Sequence, residues 1–213
     1  AALTAANEQA ASEAEKAFEA AVADGNWALA KAQGDILLTR WPDTEAAERL
    51  RPKHEEAKAR GQAENEARRI EALWTYQSQP VKGGSQLSAA IYARERIDVD
   101  GSGATPVQLI FRDHPDWGRS SYLVLQGGDF ARPCYRSCRV TVTIDDQPPR
   151  RMAANRPDTD EAIAMFIDDE KVLWGLTRDA KSMRIEFPTR DAGEVAVEFE
   201  VGGLDRSKMP GWD

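Results

Sequence analysis

The residues whose type and spacing most directly indicate a chemical bond are the only two cysteines, Cys134 and Cys138. In an extended strand their Cα atoms would lie about 13 Å apart, beyond the roughly 7 Å limit for a disulfide, so a bridge requires a compact turn. Pro133 favours such a turn. We interpret the pair as a structural disulfide, which is typical of oxidising compartments; two reduced core cysteines are the alternative.

The sequence supports a metal site less well than it supports the disulfide. The cysteine spacing is not the C-x-x-C of thiol oxidoreductases, and a zinc site needs four ligands in a chain with two histidines. Asp98, Asp100 and Ser102 alternate like the start of a calcium loop, but an EF-hand would require glutamate where Leu109 stands. A Gly-rich hairpin turn explains these residues better, and we expect neither a metal ion nor a cofactor.

The sequence contains few residues that could form a catalytic site. His114 lies between two carboxylates in Arg112–Asp116, without a nucleophile in a recognisable motif or a second histidine nearby, and we interpret it as a polar loop residue. Asp168, Asp169 and Glu170 could act as paired acids. Their position before an apolar stripe instead predicts an N-terminal cap and first turn of a helix.

Exposed aromatic side chains offer a different kind of site. Trp117 and Tyr135 stand beside Gly, Pro and charged residues in predicted loops, and Arg136 follows Tyr135. Large aromatic residues and arginine carry much of the binding energy at protein interfaces. We therefore predict a recognition surface that includes Trp117, Tyr135 and Arg136.

Charge and hydropathy narrow the range of partners. The chain of 213 residues has a net charge of -8, and both its N-terminal third and the remainder are acidic. Binding to a phosphate backbone requires a basic surface, so we expect no nucleic-acid partner. No apolar run approaches the roughly 20 residues that span a bilayer. The first residue is Ala1 and not methionine, which is consistent with removal of an export signal or lipid anchor.

The first 72 residues predict a helical arm. Two Ala-rich helical patterns are separated by Gly25-Asn26, and a third begins at Asp43 or Thr44, with Pro52 expected to kink or interrupt it. The positions that resemble a single tetratricopeptide repeat are Gly25, Trp27, Ala30, Leu38 and Pro42. The resemblance covers Ala10–Thr44 and implies a helical hairpin.

Residues 73–213 change to a two-residue period and predict a β-rich domain. The expected strands are Leu73–Gln77, Gln86–Ala93, Val107–Arg112, Tyr122–Gln126, Arg139–Asp145, Ala162–Ile167, Met183–Phe187 and Glu194–Val201. Turn residues separate most of them, and one short helix follows Asp169. The predicted fold class is α+β, with an antiparallel β-sandwich or partly open barrel after the helical arm.

The β-rich domain also resembles envelope proteins associated with bacterial type VI secretion, of the VasI or TagO kind. The segments that carry this resemblance are Leu73–Tyr76, Leu109–Arg112, Val142–Asp145 and Phe199–Leu204. The resemblance implies an accessory envelope protein without known catalysis.

These observations lead to three functional hypotheses. The first is a non-enzymatic module of the bacterial cell envelope, periplasmic or lipid-tethered at the outer membrane, that binds a protein partner or a cell-wall ligand. The second is an inhibitor or immunity protein that blocks a toxin or cell-wall hydrolase, for which an acidic surface is suitable. The third is a hydrolase, which would need His114 and a carboxylate to converge in one cleft.

Overall fold

The chain forms two compact units, one ending at Arg68 and the other spanning Arg69–Asp213. They are seen in a computed structural model that describes residues 2–157 and 163–213. The division lies slightly before the boundary that the sequence predicts. The first unit is helical and the second is built on one antiparallel sheet, which confirms the predicted α+β class.

The helical unit contains α1 (Ala2–Ala23), α2 (Trp27–Arg40) and most of α3 (Glu45–Glu71). The predicted break between the first two helices is confirmed: Gly25 has a φ of 67°, and the Asn26 side chain caps α2 by accepting from the Leu29 N–H at 3.1 Å. The predicted cap of α3 is also confirmed, because the Thr44 hydroxyl accepts from the Ala47 N–H at 3.2 Å.

Of the two effects predicted for Pro52, a kink or an interruption of the third helix, the interruption does not occur. Pro52 lies inside α3, and the helix continues to Glu71. A proline removes one backbone hydrogen bond from a helix. Burial of Leu50, His54 and Ala57 on both sides of it offsets that loss, and His54 also bonds to Asp35 of α2 at 2.9 Å.

The second unit is organised by one sheet in which all neighbouring strands are antiparallel. The strands in the described part of the chain are β1 (Trp74–Val81), β2 (Gly84–Ile97), β3 (Thr105–His114), β4 (Gly118–Leu125), β5 (Cys138–Ile144), β6 (Arg150–Asn155), β7 (Ile163–Ile167), β8 (Met183–Pro188) and β9 (Glu194–Phe199). Their spatial order is β1-β2-β3-β4-β7-β6-β5-β8-β9. The short helix α4 (Glu170–Leu176) follows β7. Ala162 of the predicted strand lies outside the described residues.

The sheet curves without closing. The N–H of Glu198 on β9 donates to the Glu95 carboxylate on β2 at 2.8 Å, and Arg94 lies 3.6 Å from Glu198. These two strands are not neighbours in the sheet order. Of the two predicted architectures, the partly open barrel is therefore the better description.

Strand β6 is absent from the predicted strands. Its sequence, Arg150–Asn155, lacks the β-branched and aromatic residues that mark a strand. Its alternation is nevertheless regular, because Met152 and Ala154 are buried while Arg151 and Ala153 are exposed. Pairing with β5, from Cys138 opposite Ala154 to Val142 opposite Arg150, stabilises the strand.

The concave face of the sheet holds the core of the second unit. Phe111 lies at its centre, with ring centroids 6.3 Å from Trp74, 5.1 Å from Trp174 and 5.4 Å from Trp212. The last residues form two short 3-10 turns that bury Met209 and Trp212 in this core. No helix among the described residues is long and apolar enough to cross a membrane.

Asp213 holds this C-terminal segment through hydrogen bonds that depend on its negative charge. Its carboxylate accepts from Arg206, from the Trp174 indole N–H at 3.1 Å and from Arg178 at 3.2 Å. These bonds, first of all that from Arg206, lower the pKa of Asp213 from 3.8 to about 2. Because the pKa is lowered in the folded state, the stabilisation is present above about pH 4 and is lost as the pH falls towards 2.

We expect Asp213→Asn to lower the urea midpoint at pH 7 and to reduce the further loss of stability between pH 4 and pH 2. Urea unfolding at a series of pH values measures both effects. Asp179→Asn is a control at an exposed acid on the α4–β8 connection. A pH profile of Asp213→Asn parallel to that of the wild type would contradict this role.

Candidate functional site

A cation surrounded by aromatic rings lies on the convex face of the sheet, opposite the core. The register places Arg112 of β3 opposite Ser120 of β4, and Tyr122 of β4 opposite Phe166 of β7. Because successive side chains point to opposite faces, these four share the face that the buried Phe111 does not use. Together with Trp117 from the β3–β4 turn they are named here the Arg112 surface.

The guanidinium of Arg112 contacts three rings of this surface. Its Cζ atom lies 5.4 Å from the ring centroid of Trp117, 5.2 Å from that of Tyr122 and 5.9 Å from that of Phe166. Such distances are within the range of cation–π attraction. The Tyr122 and Phe166 rings are themselves 5.0 Å apart. Burial raises the pKa of Tyr122, although the charge of nearby Arg112 acts in the opposite direction. At neutral pH the Tyr122 hydroxyl is therefore protonated and can donate a hydrogen bond.

Two polar atoms at the centre of this surface are buried without a partner. The Nε of Arg112 and the Oγ of Ser120 have no hydrogen-bond partner among the described residues. A buried polar group that stays unpaired costs about 1 to 3 kcal/mol. Both atoms are covered by the protein, so this cost is carried by the folded chain itself.

Trp117 forms an exposed and well-supported edge of the surface. Its side chain is 71% exposed, and its ring stacks on that of His114 with centroids 4.0 Å apart and an interplanar angle of 11°. The backbone N–H groups of Asp116 and Trp117 donate to His114 Nδ1 at 3.1 and 3.2 Å. Gly118 completes the turn with a φ of 72°. The indole thus presents a fixed flat face to solvent.

The interpretation of His114 as a polar loop residue is wrong. His114 is the last residue of β3 and is 6% exposed. Its Nδ1 accepts two backbone hydrogen bonds and its ring supports Trp117. In the described part of the chain, no carboxylate forms an ion pair or hydrogen bond with His114, so the convergence that the hydrolase hypothesis requires is not seen there.

Tyr135 and Arg136 do not belong to the Arg112 surface. They belong to the connection between β4 and β5, in which a 3-10 turn, Arg132–Tyr135, provides the compact geometry expected of this segment. Cys134 and Cys138 are joined there by a disulfide, with Cα atoms 4.7 Å apart. Tyr135 is 48% exposed and has the guanidinium of Arg156 at 4.6 Å from its ring centroid, while Arg136 is exposed.

The predicted recognition surface therefore corresponds to two places. Trp117 precedes β4 and Tyr135 follows its other end, and the ring of Trp117 contacts His114 and Arg112 whereas that of Tyr135 contacts Arg156. Arg112, Ser120 and Phe166, which complete the surface around Trp117, are absent from the sequence prediction. Their one sequence signal is alternation along strands, and the register that unites them cannot be read from it.

The side chains that could bind calcium form hydrogen bonds within the protein instead. The Asp98 carboxylate accepts from the N–H groups of Asp100, Gly101 and Gly103, and Asp100 accepts from the N–H and hydroxyl of Ser102. The Ser102 hydrogen bonds lower the pKa of Asp100. This is the geometry of a Gly-rich turn between β2 and β3. Within residues 2–157 and 163–213, no group of His, Cys, Asp and Glu is arranged to hold a metal ion.

The acids before α4 occupy the predicted positions, with Asp169 at the N-cap and Glu170 in the first turn, but no side-chain capping bond forms. Asp169 has a left-handed φ of 61° and its side chain makes no capping bond. Asp168 instead accepts from the Asn155 amide at 2.7 Å, and burial raises the pKa of Asp168. The side chain thus links the start of α4 to the end of β6.

Fold and site together define an α+β protein with an aromatic and arginine surface on an unclosed antiparallel sheet. No family model matches the chain, and no curated protein matches it. A solved structure to which it is similar is the crystal structure of invasion associated protein B from Bartonella henselae. The identity is 14% and the TM-score 0.38, over 62% of this chain and 85% of that one.

Proposed function

We propose that this chain is a non-enzymatic binding module of the bacterial cell envelope and that it recognises a protein partner through the Arg112 surface. The observation that carries the proposal is the 71% exposure of Trp117, whose ring is nevertheless held by stacking on His114. A large aromatic side chain that is ordered before binding loses little conformational entropy when a partner covers it. Such residues are frequent hot spots of protein interfaces.

The cysteines support the proposed cellular location. Both are in one disulfide, and no free cysteine is present. Structural disulfides persist in the periplasm and other oxidising compartments and are rare in the cytosol. This supports a periplasmic position, either free or tethered to the outer membrane.

Photo-crosslinking in the cells from which the chain comes tests the proposal. The photoreactive residue p-benzoyl-phenylalanine replaces Trp117, because it keeps an aromatic group at the surface. The same residue at exposed Gln126, at the far end of β4, is the matched control. A third position, Tyr135, tests the second exposed aromatic site separately.

We expect position 117 to give an adduct with one envelope protein, position 126 to give none, and Arg112→Ala to reduce the adduct at position 117 severalfold. If position 117 yields no more adduct than position 126, or yields cytosolic proteins only, the proposal is wrong. An adduct with a toxin or a cell-wall hydrolase would instead identify the inhibitor function.

A further inference from the structure

We infer that neutral His114 closes the turn that carries Trp117 and that acid opens this turn, so that the Arg112 surface loses its binding shape as the pH falls. The effect on binding rests on the proposed function above. The opening of the turn is a property of the chain alone and can be measured without a partner.

His114 closes the turn as a hydrogen-bond acceptor. Its Nδ1 atom accepts from the backbone N–H groups of Asp116 and Trp117 at 3.1 and 3.2 Å. A backbone N–H can only donate, so Nδ1 must carry a lone pair, and the neutral ring has its proton on Nε2. Asp98 accepts in the same way from the N–H groups two and three residues after it. The imidazole therefore takes the place that a side-chain oxygen has in an Asx-turn.

Protonation of His114 removes this acceptor. The imidazolium carries a proton on both ring nitrogens, so the N–H groups of Asp116 and Trp117 lose their partner and face a third donor. The ring is 6% exposed, and a charge there is largely withheld from water. The Trp117 ring, 4.0 Å away, attracts a cation. That single contact does not replace two hydrogen bonds and the lost hydration, so the protonated ring is better accommodated when the turn opens.

The positive charges around His114 also oppose its protonation in the closed turn. Arg112 lies two residues earlier on the same face of β3, and its guanidinium is 5.4 Å from the centroid of the Trp117 ring. An imidazolium would therefore bring a second cation to that ring. Lys82 is the charged residue of the β1–β2 turn, which lies beside the β3–β4 turn. The neighbouring strand β2 is uncharged up to Arg94.

The carboxylates near His114 do not offset this cost. Asp113 precedes His114 on β3 and so points to the concave face, where it lies against Gly211. Arg119, opposite Asp113 on β4, donates to the Gly211 carbonyl. The Asp116 side chain lies against the β1–β2 turn. None of the described carboxylates forms an ion pair with His114, so protonation gains no such pair in the closed turn.

The direction of the pH effect follows from the number of bound protons. The closed turn requires a neutral His114, whereas the ring is hydrated in the open turn and can take up a proton there. The open turn therefore binds more protons, and closure is favoured as the pH rises and weakened as it falls. Histidine is the residue type whose charge ordinarily changes between pH 5 and pH 8.

NMR of the whole chain tests the opening of the turn between pH 8 and pH 4.5, a range above that in which the stabilisation by Asp213 is lost. Long-range proton–nitrogen correlation spectra show which nitrogen of His114 carries the proton. Hydrogen exchange gives the protection of the backbone amides of Asp116 and Trp117. His114→Asn keeps an acceptor that does not titrate, and His114→Phe keeps an aromatic ring without an acceptor. His54→Gln is the control at the other histidine of the chain, in the helical unit.

At pH 8 we expect the proton on Nε2 and both amides protected. When the ring is protonated, their protection should fall at least about tenfold. His114→Asn should keep its protection over the whole range, His114→Phe should lack it at every pH, and His54→Gln should behave as the wild type. A proton on Nδ1 at pH 8, unchanged protection after protonation, a ring still neutral at pH 4.5, or an equal acid loss in His114→Asn would overturn the inference. The wild-type titration decides the question even if a variant does not fold.

The effect on binding is measured with the partner captured at position 117. Its affinity for the chain is compared at pH 8 and at a pH where NMR shows His114 to be protonated. We expect acid to weaken binding to the wild type at least about fivefold and binding to His114→Asn less than about twofold. The variant corrects for any titration of the partner itself. An equal change in the two proteins would show that the turn does not control binding.

The two proposals can fail separately. If the turn stays closed in acid while position 117 crosslinks to an envelope protein, the acid-sensitive turn is wrong and the proposed function stands. If the turn opens in acid but position 117 gives no envelope adduct, the acid-sensitive turn is real and the proposed function is wrong.

Discussion

Replacing Gly203 with alanine should lower the free energy of unfolding of the second unit by about 3 kcal/mol. A Cβ atom at this position would come closer than 3.0 Å to the backbone of Ile70 and Glu71, at the end of α3. The obstruction is backbone and not a flexible side chain, so the chain itself must shift. The bidentate bond between Arg69 and Glu200, at 3.2 and 2.6 Å, holds the same two segments together and opposes such a shift.

Gly175→Ala is the matched control, because a Cβ there would meet nothing within 4 Å. Gly175 is an exposed position in α4, where alanine should stabilise by roughly 0.5 to 1 kcal/mol. Urea unfolding followed by near-ultraviolet circular dichroism reports on the second unit, since Trp74, Trp174 and Trp212 lie around Phe111. Equal stability of the two variants would show that Gly203 is not closely packed.

Phe111→Ala should destabilise the same unit by about 3 to 5 kcal/mol. Phe111 is fully buried, and three tryptophan rings surround it. Truncation removes the buried ring and leaves a cavity that these large rings cannot fill without leaving their own positions. The same urea experiment measures the loss.

Tyr92→Ala provides the comparison on the neighbouring strand. Tyr92 is 50% exposed on the convex face, so its removal should cost about 1 kcal/mol or less. The difference between the two variants tests the inward and outward assignment of side chains on β2 and β3. A loss at Tyr92 as large as that at Phe111 would mean that the assignment is reversed.

Caps, breaks and turns that depend on neighbouring residues could be predicted from the sequence of this chain. The pairing of strands that are distant in sequence could not. The Gly25-Asn26 break, the Thr44 cap and the turn through Asp98–Gly103 depend on residues a few positions apart, and all three are found in the structure. Pro52 is a position at which a local rule does not predict the structure. A local rule predicts that it kinks or interrupts α3. The helix is not interrupted, because the burial of neighbouring Leu50 and Ala57 is a tertiary effect that keeps it continuous.

The residues of the candidate site illustrate the same limit of prediction from local sequence. Trp117 was predicted because an aromatic residue in a turn is visible in one short segment. Arg112, Ser120 and Phe166 come from β3, β4 and β7, and they share a surface only through the sheet order and register. The buried position of His114 beneath Trp117 likewise depends on ring stacking across the turn, which residue type alone does not specify.

The most direct test of the account is the affinity of the partner captured at position 117 for the purified chain and its variants. Isothermal titration would compare the wild type with Trp117→Ala, with Tyr135→Ala at the second exposed aromatic site, and with Leu29→Ala at an exposed apolar residue of the helical unit. We expect Trp117→Ala to weaken binding at least about tenfold and the other two variants to stay within about twofold of the wild type. Wild-type affinity in Trp117→Ala would contradict the assignment of the Arg112 surface as the recognition site.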